Sequence, residues 1–236
     1  SLIGAGKDNK ITVLKQGTRY PNSLGLFYSA ITHYLGWKHH SDEGIVMGLA
    51  PFGDDKQIVK SCNKTYEDIF KEIIYEVDDY KIEIDKSWIQ YHLVRDKWIS
   101  DKFIEVFGPK RNPEEKVELH HKHVAAALQN RIEEIVLSQL KKAKEEFGFK
   151  KLCLSGGLFL NCSLNGKILQ SKLFDEIFVQ KVPDAARTAC LKIWLEEVAK
   201  KNTDGMASAA MEFPARAQKT SRDPDCETGL LCRVRI

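Results

Sequence analysis

The longest apolar repeat in the sequence runs through residues 119–147. Its apolar side chains recur at helical spacing, which places them on one side of an α-helix. They are Val124, Leu128, Ile132, Ile135, Leu140, Ala143 and Phe147. Gly148 follows directly, and glycine is the residue that most often ends a helix. The pattern predicts one long helix over 119–147.

A strand, a helix and a second strand are predicted directly after this helix. Lys151–Leu154 is a short apolar run typical of a buried strand, residues 158–171 have helical spacing, and Asp175–Gln180 is again strand-like. Such units join parallel strands through a right-handed crossover. The tight turn between the first strand and the helix is Ser155-Gly156-Gly157.

The first third of the chain predicts a hairpin and a helix. Alternating residues on both sides of a Gly-Lys-Asp-Asn turn indicate a β-hairpin over 1–15. Asn22 or Ser23 is suited to begin a helix, and Gly36 to end it. The helix would place the following side chains on one side: Leu24, Phe27, Tyr28, Ile31 and Leu35.

Residues 60–118 have a less regular pattern. It predicts a helix at 66–74 and a strand at 80–84, and we interpret the whole segment as an insertion. From about residue 183 the character changes: an amphipathic stretch at 190–201 precedes a segment rich in Ala, Arg, Ser, Thr and Pro without a steady period. We expect this tail to be disordered or foreign to the domain.

Composition narrows the class of protein. The chain has 236 residues, of which 43% are hydrophobic, enough for a sizeable core. Its net charge is +3, and its basic residues do not form the cluster that nucleic-acid binding needs. Six cysteines lack zinc-ligand spacing, which favours a reduced, cytoplasmic setting. No apolar run approaches the ~18 residues that span a bilayer, so no membrane segment is predicted. The sequence does not indicate an oligomeric state.

The turn at 155–157 is the first candidate binding site. Gly156 and Gly157 lie between a buried strand and a helix, where they allow close approach of a ligand and point backbone N–H groups at an anion. Asn161, placed one turn into the predicted helix, suits a ribose or phosphate oxygen. The alternative is a turn whose glycines serve only the backbone conformation.

Residues 41–53 predict a second loop with the same character. Asp42 and Glu43 could accept hydrogen bonds from ribose hydroxyls, and Gly44 and Gly48 could allow close approach. The alternative is a surface connection with solvated carboxylates. Spacing alone therefore predicts a nucleotide or phosphate site and leaves the catalytic residues unassigned.

Three histidines, His120, His121 and His123, do not suit a metal site. On a helix the second points about 100° away from the other two. A fourth ligand at a useful spacing is not evident. We expect a surface patch at the helix start with one packed histidine.

Two motifs resemble the carbamoyltransferases of nodulation-factor and antibiotic biosynthesis. One is Tyr-Pro-Asn-Ser-Leu-Gly-Leu-Phe-Tyr-Ser-Ala at 20–30, continuing to Val-Met-Gly-Leu-Ala-Pro-Phe-Gly at 46–53. The other is Leu-Cys-Leu-Ser-Gly-Gly at 152–157 with Leu-Asn-Cys at 160–162 and Asn-Gly-Lys at 165–167. The resemblance extends from residue 1 to about 180.

The resemblance implies a large α/β domain of the actin/hexokinase-like type, with a ribonuclease H-like mixed sheet flanked by helices, related to the tRNA threonylcarbamoyl transferases. It implies transfer of a carbamoyl group from carbamoyl phosphate and ATP, through carbamoyl adenylate, to a hydroxyl of a sugar or natural product. A divalent metal, iron in the family, would assist. The nucleotide contacts it implies are Gly156, Gly157, Asn161, Gly25, Ser29, Glu43 and Gly44.

The sequence departs from the family pattern at several positions. The family's metal-binding histidine pair would precede residue 1, and Asp184 stands where a metal-ligating aspartate is expected, but without its flanking glycines. Asp42-Glu43-Gly44-Ile45 replaces the usual Gly-Glu-Tyr-Lys. We therefore expect a partial large domain over 1–182 and an atypical tail over 183–236, as a frame disruption near residue 181 would produce.

Three functions remain open from sequence. The first is part of a carbamoyltransferase, with little turnover expected from this chain by itself. The second is a protein like the tRNA threonylcarbamoyl transferases or the actin-fold kinases. The run at 21–30 and the lack of a basic stripe argue against the tRNA enzyme. The third is a non-catalytic remnant.

Overall fold

The computed structural model describes residues 1–7, 10–78 and 80–179, together with the backbone of a strand at 229–233. The helices are α1 Leu24–Tyr34, α2 Glu43–Leu49, α3 Tyr66–Ile73, α4 Asp101–Phe107, α5 Leu119–Phe147 and α6 Cys162–Gln170. The strands are β1 Leu2–Lys7, β2 Lys10–Gln16, β3 Ile58–Val59, β4 Lys64–Thr65, β5 Ile74–Val77, β6 Lys81–Ile84, β7 Lys151–Ser155, β8 Glu176–Val179 and β9 Gly229–Arg233. The fold is therefore a mixture of helices and sheets.

The main sheet has five strands in the order β2-β1-β9-β7-β8. β1 is antiparallel to both of its neighbours, β2 and β9. β7 runs parallel to β8 and to β9. The sheet is thus mixed, with a hairpin on one side and a parallel unit on the other, and two short hairpins, β3-β4 and β5-β6, lie apart from it.

Several predicted elements are confirmed. The hairpin at 1–15 pairs as β1 and β2. α1 begins after Ser23, whose hydroxyl accepts a hydrogen bond from the Leu26 N–H. α5 has the predicted bounds, and Gly148 ends it in the left-handed conformation at φ 69°. The parallel pairing of β7 and β8 follows the predicted crossover.

Two predictions near the candidate site are wrong. Residues 158–171 do not form one helix: a 3₁₀ turn at Gly157–Leu160 comes first, and α6 begins after Asn161. Asn161 has extended backbone angles, and its side chain accepts from the Leu164 N–H, so it starts a new helix instead of continuing one. Residues 41–53 are not a loop, because 43–49 form α2.

α2 is helical because its apolar residues can be buried. Val46 and Met47 are buried in the core, together with Ala50 of the 3₁₀ turn at Ala50–Phe52 that follows. Packing of an apolar helical face contributes more to helix stability than intrinsic propensity does. Two glycines in seven residues are tolerated for that reason.

The middle of the chain shares the core of the rest. Phe70 and Phe103 are fully buried, and Trp88 and Phe107 nearly so, in the same cluster as residues of α1 and α5. The ring centroids of Tyr34 and Phe103 are 4.9 Å apart in an edge-to-face arrangement. Interpretation of 60–118 as an insertion stays a prediction, but these residues contribute to the core that supports α1.

Part of the predicted tail enters the main sheet. The backbone of β9 lies between β1 and β7, with Leu2 opposite Arg233 and Leu152 opposite Leu230. Asp184, the predicted metal ligand, and the amphipathic stretch at 190–201 lie outside the described residues. Among the described helices, none is both long and apolar enough to cross a bilayer.

Candidate functional site

The glycine turn follows the end of β7. Gly156 has φ 111°, a conformation that side-chain-bearing residues rarely adopt, so glycine is required there. Its carbonyl oxygen accepts from the Phe159 N–H at 3.0 Å, which closes the 3₁₀ turn. Leu158 and Phe159 are buried, and they anchor the turn against the core while Gly156 and Gly157 stay partly accessible.

Asn161 is buried below this turn, with 4% of its surface exposed. Its Oδ1 accepts from the Leu164 N–H at 2.9 Å and from Gln129 Nε2 at 3.1 Å, and its Nδ2 donates to Gln129 Oε1 at 2.9 Å. The side chain therefore supports the turn from inside. Its predicted contact with a nucleotide stays a prediction.

Ser29 and Glu43, both predicted as nucleotide contacts, are brought together. Ser29 Oγ donates to Glu43 Oε1 at 2.6 Å, and the backbone N–H of His40 donates to the same oxygen at 2.7 Å. His40 Nδ1 lies 3.4 Å from Ser29 Oγ. Ser29 is on buried α1 and Glu43 is the first residue of α2, so this contact fixes how the two helices meet.

The two other predicted glycines lie on the same helices. Gly25 precedes Ser29 by four residues on α1, which places both on one side of the helix. Gly44 follows Glu43 directly, and both glycines are partly accessible. Neither has a positive φ, so what these glycines contribute at this site is the space left by a missing side chain.

A buried hydrogen-bond chain connects these residues to the glycine turn. α1 packs against the 3₁₀ turn that begins at Gly157. Tyr28, next to Ser29, donates from its hydroxyl to Gln129 Oε1 at 2.9 Å, and Gln129 of α5 bonds Asn161. The predicted residues of α1 are thus connected to the turn through α5, and Glu43 of α2 is joined to α1 through Ser29.

Sequence reasoning missed Tyr28, Gln129 and Glu133 as parts of this region. One signal was present: Gln129 and Glu133 are polar residues four apart, adjacent to the apolar positions Leu128 and Ile132 of α5. Most buried polar side chains are hydrogen-bonded, so their position next to the apolar stripe indicates a partner. The partner itself comes from a distant part of the chain.

Glu133 carries a buried charge next to this chain. It is 2% exposed, its Oε1 accepts from Gln129 at 2.6 Å and from Ser163 Oγ at 2.8 Å, and its Oε2 pairs with the ammonium of Lys167. Glu133 and Lys167 also line a cavity of about 340 Å³ between α3, α5 and α6. The acidic and basic groups of this cavity pair with one another, as Lys56 does with Glu67 and Arg131 with Glu134.

An aromatic and basic cluster lies beside Ser29. His33, His39 and His40 surround Trp98, and the ring centroids of His39 and Trp98 are 4.3 Å apart. Burial, with Lys110 and His39 nearby, lowers the pKa of His33 to about 4. Lys110 Nζ lies 2.8 Å from His33 Nε2, and burial also lowers the pKa of this lysine. His33 is therefore neutral near pH 7.

A metal site does not fit the described residues. Over 1–7, 10–78 and 80–179 no group of three or more His, Cys, Asp or Glu side chains could hold an ion. Two of the three histidines at the start of α5 are buried and have backbone partners, where the sequence predicts one packed histidine. His121 Nδ1 accepts from the Glu118 N–H at 3.0 Å, and His123 Nδ1 accepts from the Asp54 N–H at 2.9 Å.

Comparison with known proteins gives one family. Residues 3–190 match the family model described as the carbamoyltransferase N-terminus. The chain is 38% identical over 193 residues to the nodulation protein NolO of Bradyrhizobium diazoefficiens, and 37% identical over 192 residues to the nodulation protein NolNO of Sinorhizobium fredii. It is 33% identical over 197 residues to an uncharacterised protein of Synechocystis.

These matches cover most of this chain and a smaller part of each relative. They span 80% of the chain and 30% of NolO, 80% of the chain and 24% of NolNO, and 81% of the chain and 30% of the Synechocystis protein. The chain therefore spans less than a third of the length of these relatives.

Proposed function

This chain belongs to the carbamoyltransferase family, and from that premise we propose that it forms the nucleotide-binding part of an ATP-dependent O-carbamoyltransferase. The whole enzyme would transfer a carbamoyl group from carbamoyl phosphate, through carbamoyl adenylate, to a hydroxyl of a sugar or natural product. The mixed sheet, with its hairpin and its parallel unit, is compatible with an actin/hexokinase-like domain.

The observation that carries the proposal is the hydrogen bond between Ser29 and Glu43. It uses Oε1 of the carboxylate, and no hydrogen bond from the described residues reaches Oε2. A half-buried carboxylate with one oxygen held and the other open suits the paired hydroxyls of a ribose, which donate hydrogen bonds. Glu43 and Ser29 are therefore the proposed ribose contacts.

The phosphate of the adenylate would lie against the turn at Gly156 and Gly157. Without side chains these residues let an anion reach the backbone, and successive backbone N–H groups in turns bind anions. α6 contributes less than the sequence indicates, because Asn161 already occupies the Leu164 N–H. Gly25 and Gly44 would leave room for the nucleoside between α1 and α2.

The proposed chemistry is acyl transfer by positioning. The acceptor hydroxyl oxygen forms a bond to the carbamoyl carbon, the bond from that carbon to the phosphate oxygen of AMP breaks, and the hydroxyl proton leaves to a base. Holding the adenylate in a fixed orientation makes the attack effectively intramolecular. Residues 1–7, 10–78 and 80–179 hold no group of three or more side chains for the iron that the family implies, so none of these steps is assigned to a metal.

The test begins with nucleotide binding by this chain, measured by calorimetry and by thermal shift with ATP and ADP. A ligand that binds only the folded state raises the melting temperature, and the rise continues with the logarithm of the free ligand concentration above its Kd. Glu43→Gln and Ser29→Ala should each weaken binding by about fivefold to tenfold, the effect of one lost hydrogen bond. Matched controls are Glu105→Gln and Ser138→Ala, whose side chains are exposed on α4 and α5.

Carbamoyl transfer itself is tested in a longer protein that contains this chain. There, Glu43→Gln should lower the rate of carbamoyl transfer from carbamoyl phosphate and ATP to a hydroxylated acceptor, while Glu105→Gln should not. Failure of the unmodified chain to bind either nucleotide at millimolar concentration would contradict the proposal. Equal binding by Glu43→Gln and the unmodified chain would remove Glu43 from the site.

A further inference from the structure

We infer that Gln129 is a positioning residue that holds the two sides of the proposed nucleotide cleft, α1 and the turn at 156–161, in fixed relation. What the cleft binds rests on the proposed function, whereas the positioning rests on geometry. Gln129 touches neither Ser29 nor the glycines directly. It acts through Tyr28 on one side and Asn161 on the other.

All of the hydrogen-bonding capacity of the Gln129 amide is used. Its Oε1 accepts from the Tyr28 hydroxyl and from Asn161 Nδ2, both at 2.9 Å. Its Nε2 donates to Asn161 Oδ1 at 3.1 Å and to Glu133 Oε1 at 2.6 Å. An amide oxygen accepts two hydrogen bonds and an amide nitrogen donates two, so no capacity is left over.

Glu133 sets the direction of this amide. An ionised carboxylate only accepts, so the Gln129 nitrogen must face it and the Gln129 oxygen must face Tyr28. Glu133 is itself fixed by Ser163 and by the ammonium of Lys167. Charged, buried partners in a low-dielectric interior give strong and directional hydrogen bonds. The orientation is thus imposed from α6 through α5 onto α1.

Gln129 therefore affects the positions of α1 and of the turn together. Tyr28 precedes Ser29, and Asn161 ends the turn that Gly156 begins, so a displacement of Gln129 moves both sides. Asn161 keeps one N–H hydrogen beyond its bonds to Gln129 and is 4% exposed. Asn161 therefore places the turn, and its direct contact with a nucleotide stays a prediction.

An apolar residue at 129 would fill the same space. Replacing Gln129 alone leaves the Tyr28 hydroxyl, the Asn161 amide and Glu133 Oε1 without this partner, which lowers the overall stability. Positioning is therefore separated from general stability by the segments in which hydrogen exchange becomes faster. Gln129→Met removes the four hydrogen bonds at nearly constant volume.

The matched control lies on the same helix. Gln139 has a buried Nε2 with no hydrogen-bond partner among the described residues, so Gln139→Met makes the same chemical change without breaking a connection. Two readouts are compared with the unmodified chain: the Kd for ADP, and hydrogen exchange of the backbone amides at 24–30 and 156–161.

Gln129→Met should weaken ADP binding by about tenfold and speed exchange in both segments, and Gln139→Met should stay within about twofold on both readouts. Unchanged binding and unchanged exchange in Gln129→Met would overturn the inference and leave the proposed function standing. If the unmodified chain binds no ADP, the proposed function fails, and exchange alone decides: faster exchange in both segments supports the positioning role, and no change refutes it.

A second variant covers the case in which Gln129→Met does not fold. Tyr28→Phe removes one hydroxyl and keeps the ring in the core. It should weaken ADP binding by about fivefold and speed exchange at 156–161, to which the Tyr28 hydroxyl is connected through Gln129. Faster hydrogen exchange that is confined to 24–30 in Tyr28→Phe would overturn the inference.

Discussion

Arg111 donates a 2.6 Å hydrogen bond from its Nε to the carbonyl oxygen of Leu35, at the end of α1. The same guanidinium reaches three further carbonyl oxygens, those of Asn112, Pro113 and Glu115. The last carbonyls of a helix lack partners within the helix. Arg111 therefore ends α1 from a distant part of the chain, and α1 carries the proposed ribose contact.

The first prediction concerns this buried arginine. Arg111→Met should lower the free energy of unfolding by about 2–4 kcal/mol, because it leaves several carbonyl oxygens without their donor. Arg111→Lys should recover little, since one ammonium cannot reproduce the planar array of donors. Urea unfolding followed by circular dichroism measures both. Arg95→Met, at an exposed position, should change stability by less than about 0.5 kcal/mol.

The second prediction concerns Gly36, which lies over the same arginine. Its φ is 87°, and an added Cβ would stand 2.6 Å from the Arg111 carbonyl oxygen. Gly36→Ala should therefore cost about 2–4 kcal/mol, from backbone strain and from the clash. Gly148→Ala has a comparable φ of 69° with open space around the Cβ. It should cost only about 1 kcal/mol, the strain alone. Equal losses would show that the clash is relieved.

The third prediction compares two other glycines. A Cβ at Gly53 would collide with the backbone carbonyl of Lys122, where the 3₁₀ turn after α2 crosses α5. Gly53→Ala should lower the free energy of unfolding by about 3 kcal/mol or more. Gly166 lies inside α6 with nothing near its Cβ position. Gly166→Ala should raise stability by about 0.5–1 kcal/mol, and a loss there would contradict the described packing of α6.

The fourth prediction concerns acid stability. Burial, with His120 and Arg111 nearby, lowers the pKa of His121 from 6.5 to about 4. Between these values the unfolded chain binds a proton that the folded chain does not. The free energy of unfolding should therefore fall as the pH is lowered from 6.5 toward 4. Protonation would also end the hydrogen bond that His121 Nδ1 accepts from the Glu118 N–H.

Urea midpoints at pH 7, 6 and 5 measure this effect. His121→Gln keeps an acceptor for the Glu118 N–H and removes the titration, so its midpoint should fall less between pH 7 and 5 than that of the unmodified chain. Stability still depends on pH through the neighbouring histidines in this variant, because burial also lowers the pKa of His123 and of His120. Identical slopes for the two proteins would contradict the assignment to His121.

Local patterns predicted much of the fold but less of the site. α5 is long enough for its period to be unambiguous, and the βαβ unit after it has short connections of standard chemistry. α2 was hidden because Gly44 and Gly48 weaken a helical signal that burial of Val46 and Met47 restores. Asn161 was placed inside a helix because its capping role depends on backbone angles that the spacing does not show.

The sequence by itself determined the family, the hairpin and the long helix. Those features depend on contacts between near neighbours in the chain or on motifs that can be read directly. The tertiary structure decided that Ser29 bonds Glu43, that Gln129 connects Tyr28 to Asn161, and that β9 lies between β1 and β7. Each of these joins distant parts of the chain, and only packing of the whole core brings such groups within hydrogen-bonding distance.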